Sequence, residues 1–317
     1  MELSSQWAKA LEGNISEWTH NGFIRHSDSV GEIFDVKDNS SGLIRFMDSW
    51  GPRLVSKSTQ GGSTHESSRQ EGYETVVSPQ IFKEKMSATE EYIRHGKYDS
   101  IKQDAEDLGK AAIETLNIYS NGVFIEAFTS TSLFYGDALP LMSTLHTRPD
   151  GGTAQNNASA TGVALTETNL ETGLIALKQQ KGGNGQKLAT GNSAITLMVQ
   201  EAQDKEAIII TGSTRRSGTG NNDLNWYLGK VNVYINPWFG SDVTSLNSVA
   251  GLDTSWLLFD MNSHGLNFVY DLRPSYKMWE DDDRDTMYNK IKFSCVAGWK
   301  NWLGTWGSKG DGAAYSS

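Results

Sequence analysis

Cysteine, proline and long apolar runs are all scarce in this 317-residue sequence, which contains one cysteine and six prolines. A single cysteine excludes a disulfide within one chain. Because Cys295 lies in an apolar-rich run, we expect it to be a small buried hydrophobic residue. No apolar stretch approaches the ~20 residues of a membrane-spanning helix, and no basic segment leads into an apolar one at the N-terminus. We therefore expect no membrane association, and synthesis and assembly in a cytoplasm.

Basic residues are also few, since 28 lysines and arginines stand against 38 aspartates and glutamates, for a formal net charge of -10. A protein that grips nucleic acid along its whole surface needs clustered Lys and Arg to neutralise phosphates. The acidic balance argues against such a protein. Any DNA beside this chain would have to be held by something else.

The common catalytic signatures are missing as well. The sequence has no Gly-x-x-x-x-Gly-Lys-Ser/Thr loop, no Cys-x-x-Cys, no His-Glu-x-x-His and no Gly-x-Ser-x-Gly. No two histidines lie three or four residues apart, as two metal ligands on one helix would, so we expect surface or hydrogen-bonding roles for them. The histidines are His20, His26, His65, His95, His146 and His264. We expect no catalytic, cofactor-binding or metal-ligating residue.

Three short patterns suggest chemistry but have simpler explanations. The stretch Gly182–Gly185 follows a predicted helix instead of leading into one, which favours a helix-terminating turn over a phosphate cradle. The acidic run Glu280–Asp285 lacks the alternating spacing and central glycine of a calcium loop, which favours a solvated loop between strands. Ser143, His146 and Asp150 are the residue types of a hydrolase triad, but nearness in sequence provides no nucleophile-base geometry.

The N-terminal quarter predicts segments that cannot fold alone. In residues 1–50, short apolar patches alternate with polar spacers, which predicts an extended or short-helical arm. The stretch Arg53–Ser78 has two weakly strand-like ends around a polar centre that carries Gly61 and Gly62, which predicts a long protruding hairpin-like loop. Because such a loop buries little apolar surface, it must be mobile or be held by a neighbouring chain.

The clearest helix prediction runs from Tyr98 to Phe128, where apolar residues recur at steps of three and four. Asp99 and Ser100, with Gln103 three residues after Ser100, predict its start as a capping box. At 1.5 Å per residue, this helix would be ~45 Å long and could serve as a spine.

A second helix is predicted to begin at Thr166 or Thr168 and to bury Leu170, Leu174 and Leu177. Residues 194–199 predict a strand, whereas 200–211 are ambiguous between helix and strand, with helix favoured. Further strands are predicted at 231–235, 256–259, 266–272 and 288–297. These elements form an α+β chain without the regular βαβ alternation of nucleotide-binding or barrel enzymes.

Five segments, taken in order, carry a resemblance to a known family. They are Leu108-Gly-Lys-Ala-Ala, Leu133-Phe134 followed by Ser143-Thr-Leu-His146, Ser193-Ala-Ile-Thr-Leu-Met-Val199, Asn221-Asn-Asp-Leu-Asn-Trp-Tyr-Leu-Gly, and Ala297-Gly-Trp-Lys-Asn-Trp-Leu-Gly-Thr-Trp-Gly-Ser. The order resembles the major capsid proteins of tailed double-stranded DNA bacteriophages with the Hong Kong 97-type fold, and especially the Mu-like major head subunit family. The match covers about residues 98–312 and is poor before that. Asn301 departs from it, because the family often has Asp there.

The resemblance implies an α+β fold with an N-terminal arm (1–50), an extended loop (51–80), a peripheral domain containing the spine helix (81–146 and 251–317) and an axial domain (147–250). It implies a structural protein and no enzyme. Copies would assemble as hexamers and pentamers into an icosahedral virion capsid in the host cytoplasm, with the arm and loop reaching neighbouring subunits. The shell would enclose double-stranded DNA without sequence-specific binding, and decoration, scaffold and portal proteins would be further partners.

Two other functions stay open. An encapsulin-type compartment has the same fold but encloses enzymes, and the C-terminal segments favour the phage protein over it. A hydrolase with a site dispersed along the chain is the alternative from another class. It would behave as a discrete monomer with turnover.

Overall fold

The computed structural model describes residues 3–25, 29–39, 42–50, 57, 59–64, 66, 69–129, 136–188, 195–215 and 224–315. Parts of three of the segments quoted above, namely 133–134, 193–194 and 221–223, lie outside these residues. The chain divides into two units. The first is formed by Met1–Ile44, Val77–Ser120 and Phe268–Ala297, and the second by Arg45–Val76, Asn121–Asn267 and Gly298–Ser317.

Helices and strands alternate irregularly along the chain. The α-helices are α1 (Leu3–Ile24), α2 (Val30–Ile33), α3 (Glu90–Arg94), α4 (Tyr98–Ile125), α5 (Glu167–Gln179) and α6 (Asp204–Gly212), and a short 3-10 helix covers Glu201–Gln203. The strands are β1 (Asp35–Asp38), β2 (Ile44–Trp50), β3 (Gln70–Val77), β4 (Gln80–Thr89), β5 (Ile195–Val199), β6 (Val231–Ile235), β7 (Trp256–Asp260), β8 (Leu266–Asp281), β9 (Thr286–Trp299) and β10 (Thr305–Ser308). The α+β class predicted from the sequence is confirmed.

The first unit is built on a four-stranded sheet in the order β1-β8-β9-β4. Strand β4 pairs with β9 in antiparallel register from Gln80 opposite Cys295 to Thr89 opposite Thr286. The sequence pattern did not predict β4, because most of its side chains are exposed and several are charged. Charged side chains suit an edge strand, since they discourage unwanted pairing with other chains.

Strand β8 is much longer than the predicted 266–272. Its second half alternates between exposed and half-buried side chains, so it lacks the apolar run from which its first half was predicted. The acidic run ends this strand and forms the exposed turn to β9, as expected for a solvated loop. Within β9, Cys295 is fully buried, and burial raises the pKa of its thiol to about 12.

Helix α1 corrects the prediction of an extended or short-helical arm, because it is a 22-residue helix. Its buried residues Ile15 and Thr19 are four apart, and Trp18 packs beside Ile15 on the same face. Ile15 and Trp18, from an apolar patch that looked too sparse for a core, therefore lie on one stripe of a helix. This stripe packs on Ala88, Ile101, Ala105 and Met287 of the same unit.

The backbones of α1 and α4 touch where two glycines lie at the crossing. A Cβ atom placed on Gly22 would lie 2.1 Å from the carbonyl oxygen of Glu106, and one placed on Gly109 would lie 2.1 Å from that of Thr19. Neither helix could come this close with a side chain at these positions. Around the crossing, Asn289 donates a hydrogen bond to the Thr19 hydroxyl at 2.8 Å.

Helix α4 confirms the predicted spine helix, since it begins at Tyr98 and ends three residues before the predicted Phe128. Ser100 lies inside its first turn, so the predicted capping box at Ser100 and Gln103 is wrong. The apolar face is buried as predicted, with Ile101, Ala105 and Leu108 all less than 10% exposed.

The second unit contains a four-stranded sheet in the order β10-β7-β5-β6. Central strand β5 is parallel to β6 and antiparallel to β7, and all five of its residues are buried. Helix α5 packs on β10 and α6 packs on β6. Because apolar side chains cover both faces of β5, this strand forms the centre of the unit's core.

The start of α5 resolves the choice between Thr166 and Thr168 in favour of Thr166, whose Oγ1 accepts a hydrogen bond from the Asn169 amide at 3.2 Å. The leucines predicted to point inward, Leu170, Leu174 and Leu177, are buried. The helix favoured for 200–211 is confirmed by the 3-10 turn and α6, and the four later strands are confirmed too. Within the described residues, no helix is long and apolar enough to cross a membrane.

The glycine crossing predicts opposite effects for two substitutions in α1. Gly22→Ala should lower the free energy of unfolding by about 2 kcal/mol or more, because the added methyl group forces the two helices apart. Gly13→Ala should raise it by up to ~1 kcal/mol, because nothing lies within 4 Å of that position and alanine favours the helix. Urea unfolding of both variants measures the difference, and equal stabilities would contradict the close crossing.

Candidate functional site at the base of the hairpin

Strands β2 and β3 form a two-stranded sheet, and we call these strands and the residues between them the hairpin. Its second strand, from Gln70, lies in the stretch Arg53–Ser78 that was predicted as a hairpin-like loop, whereas its first strand, Ile44–Trp50, lies wholly inside the predicted arm. The predicted boundary between arm and loop is therefore too late in the sequence. Arg45 Nη1 lies 2.9 Å from Glu74 Oε1, which links the two strands on their exposed side. All described residues between the two strands are exposed to solvent.

The base of the hairpin is held by its own chain. Tyr73 and Thr147 share a hydrogen bond of 2.7 Å between their hydroxyl groups, and the Gly136 amide donates to Thr75 Oγ1 at 3.0 Å. Gln70 Nε2 donates to the Pro149 carbonyl at 3.3 Å. A two-stranded sheet is marginal alone in water, so these bonds to residues 136–149 supply support that the hairpin cannot provide for itself.

Trp50, the last residue of β2, lies against the glycine pair that follows α5. A Cβ atom on Gly182 would lie 2.8 Å from Trp50 Cζ3, and one on Gly183 would lie 2.3 Å from Trp50 Nε1. The glycines are therefore needed for close approach of the indole. The turn predicted here is confirmed, since the Gly185 amide donates to the Gly182 carbonyl at 2.8 Å.

A small pocket opens beside Trp50 and is lined by charged and polar side chains, among them Asp48, Arg148, Lys181, Lys300 and Asn301. Burial raises the pKa of the Asp48 carboxyl, while hydrogen bonds from Asn301 and the Ser49 amide and the charge of Lys300 oppose the rise. No group of three or more potential metal ligands occurs in the described part of the chain. The geometry supports anchoring of the hairpin by polar contacts.

Ser143, His146 and Asp150, the residue types of a hydrolase triad, each bond to a different partner. His146 is buried, its Nδ1 lies 2.8 Å from Asp137 Oδ2, and its ring stacks on Trp302 with centroids 4.5 Å apart. Asp150 pairs instead with Arg148, and the Ser143 hydroxyl accepts a hydrogen bond from the Leu145 amide at 3.3 Å. These side chains hold the segment that supports the hairpin. Sequence reasoning missed Asp137 as the partner of His146, because no motif marks the pair.

Comparisons with known proteins rest on structure, because no protein-family model and no curated protein matches the sequence. The capsid structure of Staphylococcus phage Andhra matches with a TM-score of 0.54 at 7% identity, over 89% of this chain and 84% of that one. The mature capsid of bacteriophage PhiM1 matches with a TM-score of 0.51 at 11% identity, over 86% and 84%. A virus-like particle from Pyrococcus furiosus matches with a TM-score of 0.50 at 10% identity, over 93% and 97%.

The chain has the Hong Kong 97-type capsid fold. This Hong Kong 97-type fold was the one predicted from the order of segments, and it is confirmed along nearly the whole chain. The matches do not single out the Mu-like family. Phage capsids and a virus-like particle both share the fold, so the fold alone does not distinguish their contents.

The half-buried Asp48 carboxyl at the hairpin base predicts a dependence of stability on pH. Because folding raises the pKa of Asp48, the folded state favours its protonated form, and stability decreases as pH rises from the ordinary value through the raised one. Asp48→Asn should remove this decrease and raise the melting temperature at neutral pH, since an amide oxygen can still accept from Asn301.

Asp253→Asn is the matched control. The Ser241 amide and hydroxyl donate to the Asp253 carboxylate at 2.7 and 2.8 Å, and these hydrogen bonds lower its pKa. Asp253 therefore adds stability above its ordinary pKa, and its replacement should not raise the melting temperature at neutral pH. Melting curves between about pH 4 and pH 7 compare the two variants. A lower melting temperature for Asp48→Asn than for the unchanged chain at neutral pH would contradict the assignment.

Proposed function

We propose that this chain is the major capsid protein of a tailed double-stranded DNA bacteriophage. It is a structural subunit without enzymatic activity, and its copies associate as hexamers and pentamers into an icosahedral shell. The observation that carries the proposal is the fold likeness to two phage capsids and a virus-like particle over at least 86% of the chain. Ser143 and His146 are engaged in hydrogen bonds within the segment that supports the hairpin.

The net charge of -10 suits a shell that encloses DNA without binding it. Like charge on shell and genome avoids trapping the DNA on the inner wall, so the genome is confined by the closed surface. Scaffold, portal and decoration proteins are the further partners that such a shell would use. The assembled protein would be a component of the virion. The order of the sequence segments favours the Mu-like head subunits as its relatives.

The hairpin is proposed to reach a neighbouring subunit. Its base is fixed by bonds to residues 136–149, while Met47 and Val76 on its strands are 59% and 49% exposed. An exposed methionine and valine on these two strands are suited to packing against another copy. This contact would hold the polar centre, which cannot bury enough apolar surface by itself.

An encapsulin-type compartment is the second candidate, favoured by the likeness to the virus-like particle, which covers 93% of this chain and 97% of the other. The experiment expresses the full chain and images it by electron microscopy. Shells are the expected result, and a discrete monomer would refute both candidates. Nuclease-protected DNA inside native particles would support the phage capsid, and an enclosed enzyme would support the compartment instead.

Shortening the hairpin should separate folding from assembly. Replacing residues 54–68 by a short Gly-Ser turn keeps β2 and β3 with their anchors, so the melting temperature should stay close to that of the unchanged chain. Shells should no longer form, because the polar centre that extends beyond the strands to the neighbour is gone, although Met47 and Val76 remain. The control replaces the same residues by a Gly-Ser linker of equal length, which separates the loss of length from the loss of side chains. Intact shells from the shortened chain would contradict this role of the hairpin.

A further inference from the structure

Exposed apolar side chains and Lys230 precede β6 in the second unit, and Lys178 of α5 lies beside them. Leu224, Trp226 and Leu228 are 86%, 55% and 46% exposed, although all three are large and apolar. The ammonium groups of Lys230 and Lys178 lie 3.5 and 5.4 Å from the centroid of the Trp226 ring. We call these five residues the tryptophan patch.

The turn that carries the patch is held firmly by its alternate residues. Tyr227 is buried and donates a hydrogen bond from its hydroxyl to the Glu167 carbonyl at 3.3 Å. Asn225 Nδ2 donates to the Ile210 carbonyl at 2.7 Å, and Asn225 Oδ1 accepts from the Tyr227 amide at 2.9 Å. Trp226 is therefore presented outward on a fixed backbone. A rigid exposed tryptophan flanked by cations has the properties of an interface anchor, because little entropy is lost when it is covered.

The opposite end of the same sheet is acidic. Because β5 and β6 are parallel, with Ile195 opposite Val231 and Val199 opposite Ile235, both strands start beside the patch and finish at the far end. Glu201, Glu206 and Asp242 are exposed on the segments that follow the two strands, together with Leu246 at 52% and Leu252 at 36% exposure. We call these five residues the acidic end.

The segments of the acidic end are neighbours in space. A Cβ atom on Gly240 would lie 2.6 Å from Gln200 Nε2 and 2.8 Å from Asp242 Oδ1, so the loop after β6 touches the loop after β5. Lys205 is the one exposed lysine on the described stretch 200–206. The acidic end thus has the opposite net charge to the patch and its own exposed leucines.

We propose that the tryptophan patch of one copy docks on the acidic end of a second copy. The inference rests on the proposed shell function and names the surfaces that join its subunits. Opposite charges and exposed apolar side chains on both surfaces favour this pairing over contact between two patches, which would bring lysines together. The two surfaces lie at opposite ends of five-residue strands, about 17 Å apart, so each copy can use both at once. Such a head-to-tail contact forms rings when its rotation closes.

The experiment uses two variants of the full chain, each with one surface altered. Trp226→Glu alters the patch, and the double substitution Glu206→Lys with Asp242→Lys alters the acidic end. Each variant alone should sediment mainly as a monomer, with association weakened at least about tenfold. Mixed in equal amounts, they should form a 1:1 heterodimer that grows no further, because each supplies the intact surface that the other lacks.

Controls keep the outcomes distinct. Trp226→Phe should assemble like the unchanged chain, because an aromatic ring remains in place. Leu224→Asp should lose assembly as Trp226→Glu does, and since Leu224 is highly exposed, this substitution should leave folding unaffected. Circular dichroism and melting temperature should match the unchanged chain for all variants. Normal shells from Trp226→Glu and Leu224→Asp, or a mixture that stays monomeric, would overturn the head-to-tail contact while leaving the shell function standing. Failure of the unchanged chain to form rings or shells would refute the shell function itself.

Discussion

Two buried amide side chains, Asn157 and Gln180, fix the C-terminal segment to the rest of the second unit. Asn157 Nδ2 donates to Thr305 Oγ1 at 3.0 Å, and Gln180 Nε2 donates to the Thr305 carbonyl at 2.8 Å. The Gly304 amide in turn donates to Gln180 Oε1 at 2.8 Å. All three of Asn157, Gln180 and Thr305 are at most 2% exposed, so none of these groups could turn to water if a partner were lost.

The hairpin depends on these hydrogen bonds indirectly, through Trp302 and His146. Trp302 lies three residues before Thr305, and its carbonyl accepts a hydrogen bond from the Thr305 hydroxyl at 2.6 Å. Its indole stacks on His146, which is next to Thr147, the residue whose hydroxyl shares a hydrogen bond with Tyr73 of β3. Direct contacts therefore connect the buried Thr305 to the surface hairpin. Because the centre of the hairpin is polar and exposed, its orientation depends on the residues beneath it.

The sequence allowed helices α4 and α5 and the later strands to be predicted, because their apolar residues follow the period of one face. The leucines of α5 and the alternation of Val231, Val233 and Ile235 are of this kind. Strand β4 and the second half of β8 escaped prediction, since their stability comes from backbone pairing and their side chains are largely exposed. Helix α1 was underestimated because Gly22 at the crossing conceals how closely it packs.

The candidate site was harder to predict than the fold, for a physical reason. Asp48, Tyr73, Asp137 and Asn301 come from four distant stretches, and no spacing rule relates them before the chain has folded. The resemblance identified the fold from the order of segments, although the matched structures share only 7–11% identity with the chain.

The burial of Cys295 has a consequence for any assembly of many copies. A thiol is nucleophilic mainly as thiolate, and a fully buried thiol whose pKa is raised to about 12 is both unionised and out of reach of solvent at neutral pH. With the chain's single cysteine withdrawn in this way, folded copies can crowd together at high local concentration without adventitious disulfide exchange. Contact between folded copies therefore does not place this thiol beside another one that it could oxidise with.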